Sequence, residues 1–167
     1  MKLIGKILVF SFLPLLSGCG IYSFSGTSIQ PDVKTVTIKY FEYKALKVNP
    51  SLSNDLTEAM KDQFRKLTKL ELVEEGGDLE LEGAITGYDV RAASVTADEV
   101  AAQNRLTATV KLKFTNVKYP EDNFEKNFSA YSDYDSTNSL DAVESSLCEE
   151  IVKKLVEDLF NACVAQW

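Results

Sequence analysis

The chain has 167 residues, a formal charge of −7 and no histidine. That length allows one domain with a substantial core, and the acidic balance argues against a protein that holds nucleic acid through a basic field. The missing histidine removes the Ser-His-Asp and Cys-His nucleophile pairs and the commonest zinc ligand.

Lys2 and Lys6 flank the start of an apolar run, Ile7 to Leu16. This is a basic n-region followed by an h-region of secretory-signal length. The run is about half of the roughly twenty residues needed to span a bilayer. It closes on Leu16-Ser17-Gly18-Cys19, which resembles a bacterial lipobox. The resemblance implies cleavage between Gly18 and Cys19, two acyl chains on the Cys19 sulfur and a third on its new amine. The alternative is an ordinary secretory signal ending near a cysteine. Each buried acyl CH₂ contributes roughly 0.8 kcal/mol, so two or three chains hold durably. This covalent lipid is the only non-protein group expected; no cofactor is. Removing residues 1–18 takes away two lysines and no acids, which deepens the charge from −7 to −9. In well-studied diderm bacteria an Asp after the lipidated cysteine retains a lipoprotein in the inner membrane. Gly20 stands there instead, followed by the uncharged run Ile21 to Gly26. The expected location is therefore the outer membrane, lipid-anchored and facing the periplasm.

Residues 20–32 read as a tether, because Ser25, Gly26, Ser28 and Pro31 break any period. Val33 to Phe41 alternates, with Val36, Ile38 and Tyr40 opposite Thr35, Thr37 and Lys39, as a half-buried strand does. Asn49-Pro50 announces a helix, Asn as N-cap and Pro at the first helical position. Its apolar stripe is Leu52, Leu56, Ala59, Met60, Phe64 and Leu67. Leu70 to Val73 reads as a short strand, and Glu75-Gly76-Gly77-Asp78 as a turn needing positive φ. From Leu79 alternation resumes through Leu81 and Ile85, with Gly83 and Gly87 on the same side; glycine there implies a bulge or a closely packed helix. Residues 94–103 read as a loop. Arg105 to Thr115 alternates most clearly, Tyr119 to Asp122 is a turn, and Phe124 to Tyr131 is a further strand. A last helix starts near Asn138 or Ser139, with Leu140, Val143, Leu147, Ile151, Leu155, Leu159 and Cys163 as its stripe.

Two striped helices and several one-faced strands can bury their apolar surfaces only against one another. The expected fold is α+β: a two-layer sandwich with a mixed or antiparallel sheet of about four to five strands and two long helices on one face. The expected organisation is a signal peptide over 1–18, a lipidated tether over 19–32 and a single domain over 33–167.

Cys148 and Cys163 lie on one predicted helix, about 22 Å apart at 1.5 Å per residue. That is too far for a disulfide within the helix. They read as small buried apolar groups, with an intermolecular bridge as the alternative. Residues 133–144 place oxygens at calcium-loop positions 1, 3, 5, 9 and 12, but Asn138 stands where Gly is nearly required. A polar turn plus an N-cap explains the stretch better, and no metal or catalytic residue is assigned. The acid pairs Glu74-Glu75, Glu80/Glu82 and Glu149-Glu150 read as solvated faces. Trp167 follows a helix and reads as packing or fraying. The sheet face away from the helices is predicted to show Thr35, Thr37, Lys39, Thr86, Tyr88, Arg105, Thr107, Thr109, Lys111 and Lys113, with Glu80 and Glu82 partly neutralising it. It is either an ordinary solvated face or a docking face for a partner wall or anionic glycolipid head groups.

Cys19 to Gly26, Leu52-Ser-Asn-Asp-Leu-Thr-Glu-Ala59, Gly83-Ala-Ile-Thr-Gly-Tyr88 and Asn104-Arg-Leu-Thr107 together resemble the lipopolysaccharide-assembly lipoprotein family (LptE), in its Bacteroidetes-like form. The resemblance covers nearly the whole mature chain, and the joint order of weak motifs carries it. It implies a non-enzymatic plug inside the large outer-membrane β-barrel LptD, which helps that barrel fold and assists delivery of lipopolysaccharide to the outer leaflet. The implied partners are LptD, lipopolysaccharide and the membrane through the lipid anchor, and not nucleic acid. Arg91, Arg105, Lys111 and Lys113 are the residues offered for glycolipid or barrel contact. Two competing readings are an accessory subunit of an ABC-type lipid transporter and a lipid-anchored hydrolase.

Overall fold

The computed structural model describes residues 29–94 and 103–164. The elements are β1 (Thr35–Ile38), β2 (Glu42–Tyr43), α1 (Leu52–Leu67), β3 (Glu71–Leu72), β4 (Leu79–Ser94), β5 (Gln103–Asn116), a 3₁₀ turn (Pro120–Asp122), β6 (Phe124–Asp135) and α2 (Leu140–Val164). The sheet order is β3-β1-β4-β5-β6, with β2 also on β4. β1 pairs parallel with β3 and β4, whereas β4, β5 and β6 form an antiparallel meander. The sheet is thus mixed, and the two helices cover one face of it as the sequence pattern requires.

Why these segments form these elements is largely a matter of period. Leu106, Ala108, Val110, Leu112 and Phe114 of β5 alternate into the core and are at most 2% exposed. Leu52, Leu56, Met60 and Phe64 recur every four residues along α1 and are equally sealed. Each of these side chains except Ala108 contributes roughly 1.5–3 kcal/mol by leaving water. Phe64 meets Phe160 of α2 edge to face, centroids 5.0 Å apart. Ser51 holds the N-cap position of α1 and makes no side-chain cap bond; Asn49 supplies the capping oxygen from two residues earlier, its Oδ1 accepting the N–H of Ser51 (3.2 Å) and Leu52 (3.1 Å), so Pro50 precedes the helix instead of opening it. Asn49 also contacts Glu144 and Cys148 near the start of α2, while Phe64 and Phe160 meet near both C-termini. The helices therefore run parallel, and both N-termini share one pole of the body. No described helix is long and apolar enough to cross a membrane.

The structure departs from the sequence expectations in four further places. The strand from Val33 to Phe41 is interrupted, because the β1 register on β4 slips by one residue before Glu42 pairs with Ala84. The slip turns Phe41 inward, where its ring occupies the space a Gly83 side chain would need. A second irregularity lies between Ile85 and Gly87. Thr86 is the extra residue, so period 2 changes phase there: Gly87 pairs with Thr109 on the open face, and Tyr88 turns into the core at 3% exposure. Gly83 and Gly87 hence face opposite sides, and Tyr88 does not belong to the open face. Thr37 is also lost from that face. The β3–β4 turn lies flat over it, Gly77 N–H donating to Thr37 Oγ1 at 3.0 Å. A Cβ on Gly77 would sit 2.6 Å from the Thr37 nitrogen, so only glycine allows this approach. Gly76, at φ +70°, supplies the left-handed corner. Finally, β4, β5 and β6 are longer than expected, which narrows the predicted loop at 94–103.

The first described residues are already fastened. Gln30 Nε2 donates to Asp122 at 3.0 Å, and Tyr119 donates to Asp32 at 2.9 Å. Asp78 clasps the start of β1, accepting the N–H of Lys34 (2.7 Å) and Thr35 (3.2 Å) and pairing with Lys118 at 3.1 Å.

Candidate partner-binding face

The open face of the sheet is built by the outward half of each alternating strand. Along β5 it carries Arg105, Thr107, Thr109, Lys111 and Lys113, and the β6 partners in register are Asp133, Tyr131, Ser129, Asn127 and Glu125. Cross-strand neighbours on one face interact directly, and here they sort into charge-balanced groups. Lys111 pairs with Glu125. Glu82 of β4 accepts from Lys39 and lies 3.4 Å from Lys113. Lys39 draws the Glu82 carboxyl below its ordinary pKa, and Lys111 does the same to Glu125. Arg105 makes two parallel bonds to Asp133, 2.7 and 2.8 Å, with its guanidinium 3.7 Å above the Tyr131 ring. This bidentate, stacked geometry raises the arginine and lowers Asp133 relative to their usual ranges. Between the groups lies a hydroxyl strip, with Thr109 and Ser129 2.8 Å apart.

All four basic residues singled out from sequence lie on this face, but in two groups. Lys111 and Lys113 border a shallow trough of about 280 Å³, open because Ala84 is small, with Lys39, Lys44, Glu42, Glu82 and Glu125 around it. Arg105 stands six residues along β5, about 20 Å away at 3.4 Å per residue. Its register partner is Arg91, which bonds Asp89 at 2.7 Å. The face is polar and locally neutral, not a basic field. Sequence reasoning missed Glu125, Asp133 and Tyr131, because the phase of β6 depends on its register with β5. Gly18, Cys19 and Trp167 lie outside the described residues.

A second polar cluster sits under the N-termini of the helices. Tyr88 donates to Glu144 at 2.5 Å, receives from Asn49 at 3.1 Å and lies 3.3 Å from the Cys148 sulfur. Burial, together with Cys148 and Glu144, holds the phenol far above its ordinary pKa. Burial likewise raises the thiols of Cys148 and Cys163, which are both buried and unbridged. The stretch resembling a calcium loop is divided among other partners: Asp133 serves Arg105, Asp135 accepts from Thr137 N–H at 2.8 Å, and Glu144 serves Tyr88. Among the described residues no group of three or more His, Cys, Asp or Glu side chains is placed to hold a metal ion.

Comparison with known proteins starts from this sandwich. Residues 33–163 match the family described as LptE, lipopolysaccharide-assembly. The chain belongs to the lipopolysaccharide-assembly lipoprotein family. The match spans every described element from β1 to near the end of α2, which bears out the resemblance carried by the weak motifs. No curated protein sequence matches the chain. Among solved structures, the hypothetical protein CT253 of Chlamydia trachomatis aligns with a TM-score of 0.51 at 9% identity, covering 77% of this chain and 96% of its own. It shares the fold. Rare lipoprotein B of Shewanella oneidensis aligns at 0.48, with 10% identity and coverages of 77% and 90%. A minor lipoprotein of Acinetobacter baumannii aligns at 0.46, with 14% identity and coverages of 72% and 89%.

Proposed function

We propose that this LptE-family chain is a non-enzymatic outer-membrane lipoprotein, held through lipid on Cys19, that docks into the lumen of the LptD β-barrel. There it supports folding of the barrel and insertion of lipopolysaccharide into the outer leaflet. The family match over residues 33–163 carries this reading. The open sheet face supports it physically. A plug must present a hydrophilic surface to a polar lumen, and a face of hydroxyls and cross-strand ion pairs stays soluble without demanding a counter-charged wall. Lys111, Lys113, Arg91 and Arg105 are the contacts proposed for the barrel or for glycolipid phosphates.

Depletion tests the function: mature barrel and surface lipopolysaccharide should fall together. Affinity purification tests the partner. A large β-barrel protein should come along, and recovery of an inner-membrane transporter instead overturns the assignment. Replacing Cys19 with Ala should move the protein out of the membrane fraction while its unfolding curve stays unchanged. Retention in the membrane fraction refutes the lipid anchor.

A further inference from the structure

At the pole opposite the helix N-termini, the entering chain and the end of α1 enclose a recess of about 410 Å³. Ile29, Pro31 and Val33 line it from the entering chain, Leu67 and Leu70 from the end of α1 and just beyond. Its charged residues are Lys34, Lys66 and Lys69, and no carboxylate lines it, in a chain of net charge −7. None of the three lysines is in an ion pair among the described residues. The acids nearest in sequence are turned away or engaged. Glu71 stands beside Thr35 on the open-face side of the sheet, Asp32 accepts from Tyr119, and Asp78 pairs with Lys118. The recess is held in shape by its own bonds. Thr68 Oγ1 donates to the Phe64 carbonyl at 2.8 Å and accepts the Leu70 N–H at 3.2 Å, and the Glu71 N–H ties to the Lys34 carbonyl at 2.9 Å. Lysines here also answer the negative end of the α1 dipole, but that end amounts to only about half a charge against three. Leu67, 52% exposed, sets a large apolar group beside them.

We infer that this recess and its rim rest on an anionic phospholipid surface, head-group phosphates meeting Lys34, Lys66 and Lys69 while Leu67 enters the boundary with the acyl chains. Two observations select this occupant. Charge is the first. The open-face trough mixes its lysines with three glutamates, and the groove between the helix N-termini carries four carboxylates, so neither suits an anionic surface. Connection is the second. Ile29, which lines the recess, is ten residues after Cys19, and ten residues reach at most about 35 Å. A bilayer holding Cys19 thus lies within that reach of the recess. The contact takes its proximity from the proposed Cys19 anchor, but its chemistry is readable without that anchor.

For the test, a hexahistidine tag replaces residues 1–19 and holds the chain on vesicles through a nickel-chelating lipid. Flotation against rising imidazole then compares retention on phosphatidylcholine vesicles with retention on vesicles that also contain phosphatidylglycerol. Phosphatidylglycerol should tighten retention, and salt should remove the gain. Each lysine near an anionic surface is worth about fivefold. Lys66→Gln with Lys69→Gln, both exposed, should therefore cut retention on the phosphatidylglycerol vesicles at least about tenfold and leave phosphatidylcholine retention unchanged. Lys126→Gln with Lys153→Gln makes the same charge change on β6 and α2 and should keep the gain. No gain from phosphatidylglycerol overturns the inference, as does an equal loss in the two double variants. So does a gain that inorganic phosphate abolishes at matched ionic strength, which would mark a site for free anions. Cys19 is absent from every arm, so a failure here is distinct from retention of the Cys19→Ala protein in the membrane fraction, which refutes the anchor alone.

Discussion

Gly83→Ala tests the inward turn of Phe41 most sharply. An added Cβ would fall inside 3.0 Å of ring atoms Cδ1 and Cε1 of Phe41 and 3.1 Å from Cζ. The ring would have to retreat until those contacts reach about 3.4 Å, the start of ordinary van der Waals contact. It has little room to do so. Phe41 is fully buried, and its N–H donates at 3.1 Å to Thr57 Oγ1, which itself donates to the Ser53 carbonyl at 2.6 Å. Overpacking of this kind costs about 1–3 kcal/mol, against a backbone gain of roughly 0.5–1 kcal/mol for replacing glycine inside a strand. The net expectation is a loss of about 1–2 kcal/mol. Phe41→Ala alone should cost about 3–5 kcal/mol. In that background the methyl added by Gly83→Ala enters the vacated space, so the second substitution should be neutral or stabilising. Urea unfolding followed by circular dichroism gives all four corners of the cycle. A coupling energy of at least about 1 kcal/mol is expected. Additive losses would show that the ring does not occupy the Gly83 space and would sink the argument.

Three further outcomes are expected. Asp78 has its pKa lowered to about 2, first by the Lys34 N–H and then by Lys118 and the Thr35 N–H. Its contribution to stability is therefore complete above the unfolded pKa of roughly 4 and is lost as pH falls toward 2; Asp78→Asn should flatten that part of the stability–pH curve. Asn49→Ala removes both the α1 cap and the amide donor to Tyr88, and thermal unfolding should show a loss of about 2–3 kcal/mol. Asn49→Asp keeps the cap acceptor but sets a buried carboxylate against Glu144, 3.4 Å from the lost amide nitrogen, so near neutral pH it should lose at least as much as the alanine variant and recover as the pH falls. Reversing both Lys111 and Lys113 to Glu removes two exposed pairs and sets like charges opposite Glu125 and Glu82, so a modest loss of stability with the fold retained is expected. Co-purification of the barrel or binding of lipopolysaccharide should fall; if both persist, the open face is not the contact.

Periodic elements were legible because burial leaves a residue-by-residue trace. Leu106 to Phe114 and Leu52 to Phe64 display the strand and helix periods without interruption, and Asn49-Pro50 marks the start of α1 by chemistry that needs no tertiary information. Tyr88 and Thr37 were misplaced for a different reason. One inserted residue at Thr86 reverses inward and outward as far as Ala92, where a second shift follows, and nothing in Gly-Ala-Ile-Thr-Gly-Tyr states which residue is extra. Thr37 is covered by a turn forty residues away that only Gly77 allows to come so close. The neutrality of the open face was half visible. Glu82 could be placed from its own strand, but Glu125 and Asp133 depend on the pairing of β6 with β5, which is a property of two segments together.

The Asp78 clasp has a mechanical consequence. A pull applied at Ile29 along the axis of β1 first reaches Gln30 and Asp32. β1 lies between two parallel neighbours, β3 and β4, so its ladder is loaded in shear, with several bonds sharing the force instead of opening one at a time. Asp78 ties the leading end of that strand to Lys118, beyond the end of β5, spreading the load over three strands. A pull along β1 thus meets the side-chain bonds of Gln30, Asp32 and Asp78 before it can peel the strand.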